Sequence, residues 1–284
     1  MSTPKEMKIR PYARLLTMLG EQLIKNERIA LIEIIKNSYD ADADWVKIIF
    51  KSFDNDYGSK EDSKIIIKDN GFGMTKSIIE KHWLNPATPI KKLQKKLKDK
   101  TPKGRIMQGE KGIGRFALLK LGRKVDIITK TKETNNELFV RYDFTNYDDD
   151  FLTENGKEKD LFIDDLTVTL QEQKPKVFIG CNTSLSNGAI HNNTHGTLIE
   201  ISNLKGGWSE KKVAKVYQDI SRLQSIFAIR NTNSKKPSDF KVDIYKNDIR
   251  QKLSEGYLKV LNLLLEDRSV IKIEEGQFNS NIND

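Results

Sequence analysis

A single cysteine, Cys181, stands in 284 residues, so the chain has no disulfide framework and no cysteine-based zinc site. Long apolar runs are missing too: nothing approaches the roughly 18 to 20 residues that cross a bilayer, and no membrane association is expected. The opening MSTPKEMKIRPYARLL lacks a continuous apolar segment ending in a small-residue cleavage site, so no secretory signal is expected. A cytoplasmic compartment, or a nuclear one in a eukaryote, follows as the default. No internal repeat is visible.

What remains is a chain with 37% hydrophobic and 31% charged residues, a balance that suits a folded globular protein. The formal net charge is +9. Acids are scarce in one stretch in particular. Lys91, Lys92, Lys95, Lys96, Lys98, Lys100, Lys103 and Arg105 face only Asp99 there. Such a stretch suits a polyanion such as DNA or RNA, and equally a solvated face.

The apolar spacing of Leu15, Leu16, Leu19 and Leu23 predicts a helix over Pro11 to Lys25. Asn26 can cap a second helix, Glu27 to Tyr39. Strands are expected at Trp45–Phe50, Lys64–Lys68, Lys124–Thr129, Glu137–Phe144, Leu166–Glu172, Thr197–Ser202, Lys241–Tyr245 and Val270–Glu274. A short helix is expected near Lys76 to Leu84, another after the glycine-rich GRIMQGEKGIGRF and ended by Gly122, and a third over Ser209 to Ala228. Helices come first and hairpin-like strands follow, which is an α+β pattern with a mixed sheet. Residues 1–210 read as one domain. Residues 211–284 read as a helix and the start of a following region, and by composition the chain reads as a fragment of a longer protein.

Three stretches carry chemistry. In IALIEIIKNSYDADAD, positions Glu33, Asn37 and Asp40 fall on one face of a helix made otherwise of Ile, Leu and Ala. Taken alone, that stripe is most simply the exposed edge of an amphipathic helix. IIIKDNGFGM sets Asp69 at the end of a strand, followed by Gly71 and Gly73, where the backbone can come close to a ligand or merely turn. GEKGIGRFA places Gly109, Gly112 and Gly114 ahead of a helix, where free amides can face a phosphate. No Gly-Lys-Ser/Thr occurs there, so it is not a Walker loop, and no strand leads into it as a Rossmann fingerprint requires. Asp40, Asp42 and Asp44 mimic the opening of a calcium loop without its glycine and closing glutamate. His191 and His195 lack a third ligand for zinc.

In this order the motifs resemble the GHKL ATPases, the superfamily of gyrase B, heat-shock chaperones, histidine kinases and MutL. Glu33-Ile-Ile-Lys-Asn37-Ser-Tyr-Asp40-Ala matches its N box, Asp69-Asn-Gly71-Phe-Gly73-Met74 its first glycine box and Gly109-Glu-Lys-Gly112-Ile-Gly114 its second. His195-Gly196-Thr197-Leu matches its late threonine. The resemblance implies a Bergerat-type two-layer sandwich, helices on one face of a mixed, mostly antiparallel sheet, with ATP and Mg²⁺ as cofactors. It implies that Asp69 accepts from the adenine amino group, that Gly71, Gly73, Met74 and Thr197 surround the base, and that Asn37 binds the magnesium. Glu33 then activates water, while Lys111, Gly112, Ile113 and Gly114 cradle the phosphates. Residues 75–108 correspond to the ATP lid, which places the lysine-rich stretch on the part expected to move.

Within the superfamily the start RPYARLLTMLGEQLIKNERIALIEIIKNSYDADA is most similar to MORC-type and related bacterial members. Pro86-Ala87 stands where those carry a glycine. The implied function is a Mg-dependent ATPase whose lid closure and homodimerisation drive a conformational cycle, with DNA as a partner through the basic lid. A nucleotide-gated DNA clamp with negligible turnover is the alternative. A histidine kinase is disfavoured by Glu33 and by the mere 28 or so residues, without histidine, ahead of the N-box helix. A chaperone ATPase is disfavoured by the basic balance.

Overall fold

The computed structural model describes residues 6–85, 100–108, 116–184, 190–230, 240–251, 272–274 and 277–279. Two helices lead, α1 (Arg14–Leu23) and α2 (Glu27–Asp40). Asn26 starts α2, its side chain accepting from Ile29 N at 3.0 Å, and Glu27 lies in the first turn. Strands β1 (Trp45–Phe53) and β2 (Ser59–Asp69) follow, then a short α3 (Lys76–Ile78) that widens into a π turn over Ile79–Trp83. Helix α4 (Phe116–Leu121) runs directly into β3 (Gly122–Lys130), which pairs with β4 (Glu137–Asp143). After two small hairpin strands, β5 (Thr153–Glu154) and β6 (Lys157–Glu158), come β7 (Thr169–Gln173), β8 (Cys181–Ser184), β9 (Ile190–Asn193) and β10 (Gly196–Leu204). Helix α5 (Glu210–Arg230), β11 (Lys241–Lys246) and β12 (Ile249–Arg250) complete the main unit, and β13 (Lys272–Glu274) pairs with β14 (Gln277–Asn279) apart from it.

Eight strands form one sheet in the order β12-β11-β1-β2-β10-β3-β4-β7. Every pairing is antiparallel except that of β1 with β11. The class is therefore α+β with a mixed, mostly antiparallel sheet, as the sequence predicts. Alternation along the strands assigns the faces: Val46, Ile48, Phe50, Ile65, Ile67, Val125, Ile127, Ile199 and Ile201 are buried under the helices. Leu31, Ile34 and Ile35 of α2, Leu118 and Leu121 of α4, and Val213, Val216 and Ile220 of α5 meet them in the same core. Each such side chain contributes about 1.5–3 kcal/mol on burial. Because α5 and β11 join this core and this sheet, the layer continues past residue 210.

Helix α4 ends at Leu121, immediately before Gly122 as predicted, but Gly122 does not end it by a left-handed cap. It has no positive φ; it opens β3 opposite Leu204. A Cβ there would lie 2.5 Å from Ser202 O, so the absence of a side chain lets β10 come close. No helix among the described residues is long and apolar enough to cross a membrane.

Candidate functional site

The pattern of burial on α2 separates two faces. Ala30, Leu31, Ile34, Ile35, Ser38 and Tyr39 are buried, while Glu33, Lys36, Asn37 and Asp40 are only partly covered. The polar stripe is thus a real face, turned away from the core. Neighbouring side chains at its end reach two other motifs. Ser38 Oγ donates to Asp69 Oδ2 at 2.7 Å, tying α2 to the end of β2. Asp40 Oδ1 accepts from Gln108 N at 2.7 Å, tying α2 to the residue before the second glycine run.

Asp69 is buried and fully engaged. Its Oδ1 accepts from Gly71 N at 2.9 Å and from Thr197 N at 3.2 Å, in addition to the Ser38 bond on Oδ2. Burial pushes its carboxyl above the ordinary range, and the bonds from Ser38, Gly71 and Thr197 partly oppose that rise. Thr197 sits directly across the ladder from Asp69, and its Oγ1 lies 3.2 Å from Thr129 Oγ1. Thr129, fully buried in β3, also accepts from Met74 N at 2.8 Å and donates to Gly196 O at 3.1 Å. Asp69, Thr197, Thr129 and Met74 therefore form one connected polar cluster on three strands and the loop after β2.

The glycines here are there for space. Gly73 has φ +71°, and a Cβ on it would fall 2.2 Å from Lys130 O. Gly71 lies against Ala41, and Phe72 N donates to Ala41 O at 2.9 Å, which closes the loop onto the end of α2. Asn70 turns the other way, its Oδ1 accepting from Asp44 N and Trp45 N at 2.8 and 3.1 Å. His195, just before Gly196, shares a hydrogen bond with Thr194 Oγ1 at 3.1 Å. Burial, then Lys132 and Lys130, hold its ring below the usual imidazole range.

On the open stripe, Lys36 Nζ lies 2.7 Å from Glu33 Oε1. Asn37, half-exposed one turn from Glu33, offers an amide oxygen. No group of three or more His, Cys, Asp or Glu exists among the described residues, so no all-protein metal cage is built there. A magnesium ion does not require one: it keeps several waters and takes one or two protein oxygens plus phosphate oxygens. The donor set fits that ion. Lys111, Gly112, Ile113 and Gly114 lie outside the described residues.

Two cations that the sequence counts with the basic lid are tied to the turn after α2. Arg105 is only 4% exposed, its guanidinium donating to Ala43 O at 2.7 Å and Tyr39 O at 3.3 Å. Lys103 Nζ donates to Asp42 O at 2.9 Å and pairs with Asp44. Both are anchored on the turn after α2; Arg105 is buried there, while Lys103 stays exposed. Ser38, Thr129, Asp42 and Arg105 are the site-proximal residues that sequence reasoning missed. Only the spacing of Ser38, one residue after Asn37 on an inward helix position, carried a signal for any of them. A separate cavity of about 200 Å³ between α1 and α4, lined by Gly20, Lys120, Arg123 and Lys205 among others, holds none of these residues.

A family profile described as histidine kinase-, DNA gyrase B-, and HSP90-like ATPase matches residues 25–169. The chaperone protein HtpG of Ruthia magnifica subsp. Calyptogena magnifica is 32% identical over 132 residues, covering 42% of this chain. The match takes in 21% of that protein's length.

Proposed function

Because the chain belongs to the histidine kinase-, DNA gyrase B- and HSP90-like ATPase family, we propose that the α2 stripe and the Asp69 cluster form an ATP-hydrolysing site. The observation that carries this reading is the double tether of α2: Ser38 to Asp69 at 2.7 Å and Asp40 to Gln108 N at 2.7 Å. It gathers the N box, the first glycine box and the chain entering the second around one helix end.

In this reading Asp69 accepts from the adenine amino group. A guanine presents a carbonyl at that position and cannot donate, which gives base selectivity. Gly71 and Gly73 leave the base room, Met74 packs on it, and Thr197 supports it through Asp69. Asn37 holds Mg²⁺ by its amide oxygen, and the ion supplies charge neutralisation on the phosphate oxygens. Glu33 orients a water and takes its proton as general base. Lys111 and the amides of Gly112, Ile113 and Gly114 cradle the phosphates.

The finer reading is a conformational cycle in which residues 75–108 act as a lid and two protomers associate when nucleotide is bound. The ATP-binding unit is drawn past residue 210 in this proposal, since β11 lies beside β1 in its sheet. DNA is the favoured client on the +9 charge. Of the basic stretch, Arg105 is buried and drops out, which leaves Lys91, Lys92, Lys95, Lys96, Lys98, Lys100 and the exposed Lys103. A protein client is the second reading, favoured by the similarity to a protein named as a chaperone.

The test is calorimetric ATP binding together with phosphate release, measured over a range of protein concentrations for the unmutated chain and Glu33→Ala. Binding in both, with hydrolysis only in the former, is expected. A rate rising faster than linearly with protein supports association, and stimulation by DNA that disappears at high salt supports phosphate contacts. Stimulation by an unfolded polypeptide instead turns the client assignment to protein. Absence of ATP binding by the unmutated chain sinks the site altogether. Binding without turnover at any concentration leaves a nucleotide-gated switch.

A further inference from the structure

Asp42 is the most constrained acid near the site. It is 2% exposed and holds φ +56°, a left-handed backbone that Asp tolerates better than most residues. Its carboxylate accepts from Thr101 Oγ1 and from Lys103 N, the latter at 2.9 Å, and lies 3.9 Å from Arg105 Nε. Arg105 in turn satisfies the carbonyls of Tyr39 and Ala43 on either side of the helix end. Its guanidinium stacks 4.7 Å from the Tyr39 ring centroid and 5.6 Å from that of Phe240. The turn itself is closed by Thr101 N to Arg105 O at 2.9 Å and Gly104 N to Thr101 O at 2.7 Å.

We infer that Asp42 and Arg105 are a positioning pair that sets nucleotide affinity, by fixing the chain at residues 101–105 against the end of α2. This rests on the ATP reading above. Three residues beyond Arg105, Gln108 N is held by Asp40, and the second glycine run begins at the next residue. The pair therefore fixes the described chain as far as Gln108, the residue before that run in sequence, and in the ATP reading phosphate-binding amides lose affinity when the chain leading to them shifts by about an ångström. Neither residue touches the reacting atoms in this reading. Phe240, at the head of β11, closes the other side of the guanidinium, so the region after α5 shares the same lock.

The experiment compares Asp42→Asn, Arg105→Gln and the double variant with the unmutated chain. Asn keeps the shape and tolerates the backbone, but it removes the charge and turns one oxygen into a donor, so Thr101 Oγ1 or Lys103 N loses its acceptor. Each single variant is expected to weaken ATP binding about tenfold or more, as loss of one partner of a buried pair does, with the rate at saturating ATP changed less than about threefold. The double variant should be no weaker than the worse single one, because both act through one lock. Amide hydrogen exchange in the nucleotide-free protein should speed up at Lys103 and also at Gln108 in Asp42→Asn. Unchanged ATP affinity in folded variants, or exchange that quickens at Lys103 but not at Gln108, overturns the inference. If the unmutated chain binds no ATP, the ATP reading fails, while the exchange at Gln108 still decides whether the lock reaches that residue.

Discussion

Lys36 Nζ lies 2.7 Å from Glu33 Oε1, one turn apart on the half-covered face of α2. The pair sets a cation on the carboxylate proposed to receive a proton from water. An oxygen engaged by an ammonium has one less lone pair for that water, so the pair restrains the base. A partly exposed pair of this kind is worth at most about 1 kcal/mol, and a barrier difference of that size is about fivefold in rate. Lys36→Met is therefore expected to raise kcat by up to about fivefold, with thermal stability nearly unchanged. Steady-state phosphate release checks it. A fall of tenfold or more would place Lys36 within the catalytic machinery and discard the restraint.

If Asp69 receives the adenine amino group as proposed, ligand-free stability and ATP affinity should respond to pH in opposite senses. Burial holds its folded carboxyl above the ordinary aspartate range. Between the unfolded and folded values the native state holds the proton more tightly, so the group's contribution to stability falls as pH rises through that window. Asp69→Asn has no such group, and its stability relative to the unmutated chain should improve steadily as pH rises across the window. In the proposed site ATP binding needs an acceptor at this position, so affinity in the unmutated chain should drop as pH falls through the folded value. In Asp69→Asn it should be lost by about one to two orders of magnitude at neutral pH, the cost of a mispaired buried polar group. Urea titrations and calorimetry over pH 4 to about 8 read both slopes; parallel pH profiles in the two proteins would refute the assignment.

Much of the fold follows from local chemistry. The alternation of Ile65 and Ile67 with Lys64, Ile66 and Lys68 predicts a strand with one buried face, and the side chains obey it. Asn26 announces the start of α2 because capping needs only neighbours. What escaped is nonlocal. Arg105 reads as a solvated cation among lysines because its acceptors lie 62 and 66 residues earlier, on Ala43 and Tyr39. Thr129 looks like an ordinary β-branched strand residue until its distance to Thr197 is known. The β8–β9 hairpin hid in an asparagine-rich stretch with little apolar alternation. At the site, Asp69 and the glycines carry their own turn chemistry in sequence, whereas Ser38 acquires meaning only from Asp69 Oδ2.

Two glycines should respond to alanine with opposite signs. Gly20 lies inside α1, and a Cβ there meets nothing within 4 Å. Gly20→Ala should stabilise by roughly 0.5–1 kcal/mol, since alanine gives up less backbone freedom in a helix. Gly73 has φ +71° and Lys130 O within 2.2 Å of a built Cβ. Gly73→Ala should destabilise by about 1–3 kcal/mol through the strained backbone alone, and by more if β3 cannot shift. Chemical denaturation midpoints at constant slope compare them directly. Equal effects would mean that the loop after β2 relaxes freely, and Gly73 would lose its claim to a required shape.

Glu137 is fully buried at the start of β4, yet no cation pairs with it among the described residues. Its Oε1 accepts from Gln173 Nε2 and Lys176 N at 2.9 and 3.0 Å, and its Oε2 from Val177 N and Phe178 N at 3.1 and 3.3 Å. Three successive amides of the loop after β7 thus rest on one carboxylate, and Asn193 ties the same loop to β9 through Val177 O at 3.1 Å. Glu137→Gln keeps the volume but turns one oxygen into a donor. Gln173 can flip its own amide to suit, but a backbone amide cannot. Whichever way the new side chain turns, at least one of Lys176, Val177 and Phe178 loses its acceptor. The expected loss is about 1–3 kcal/mol, seen as a lower urea midpoint with an unchanged slope and faster amide exchange confined to residues 176–178. A midpoint equal to that of the unmutated chain would mean that water replaces the carboxylate, and the loop would owe its position to Phe178 and Asn193 instead.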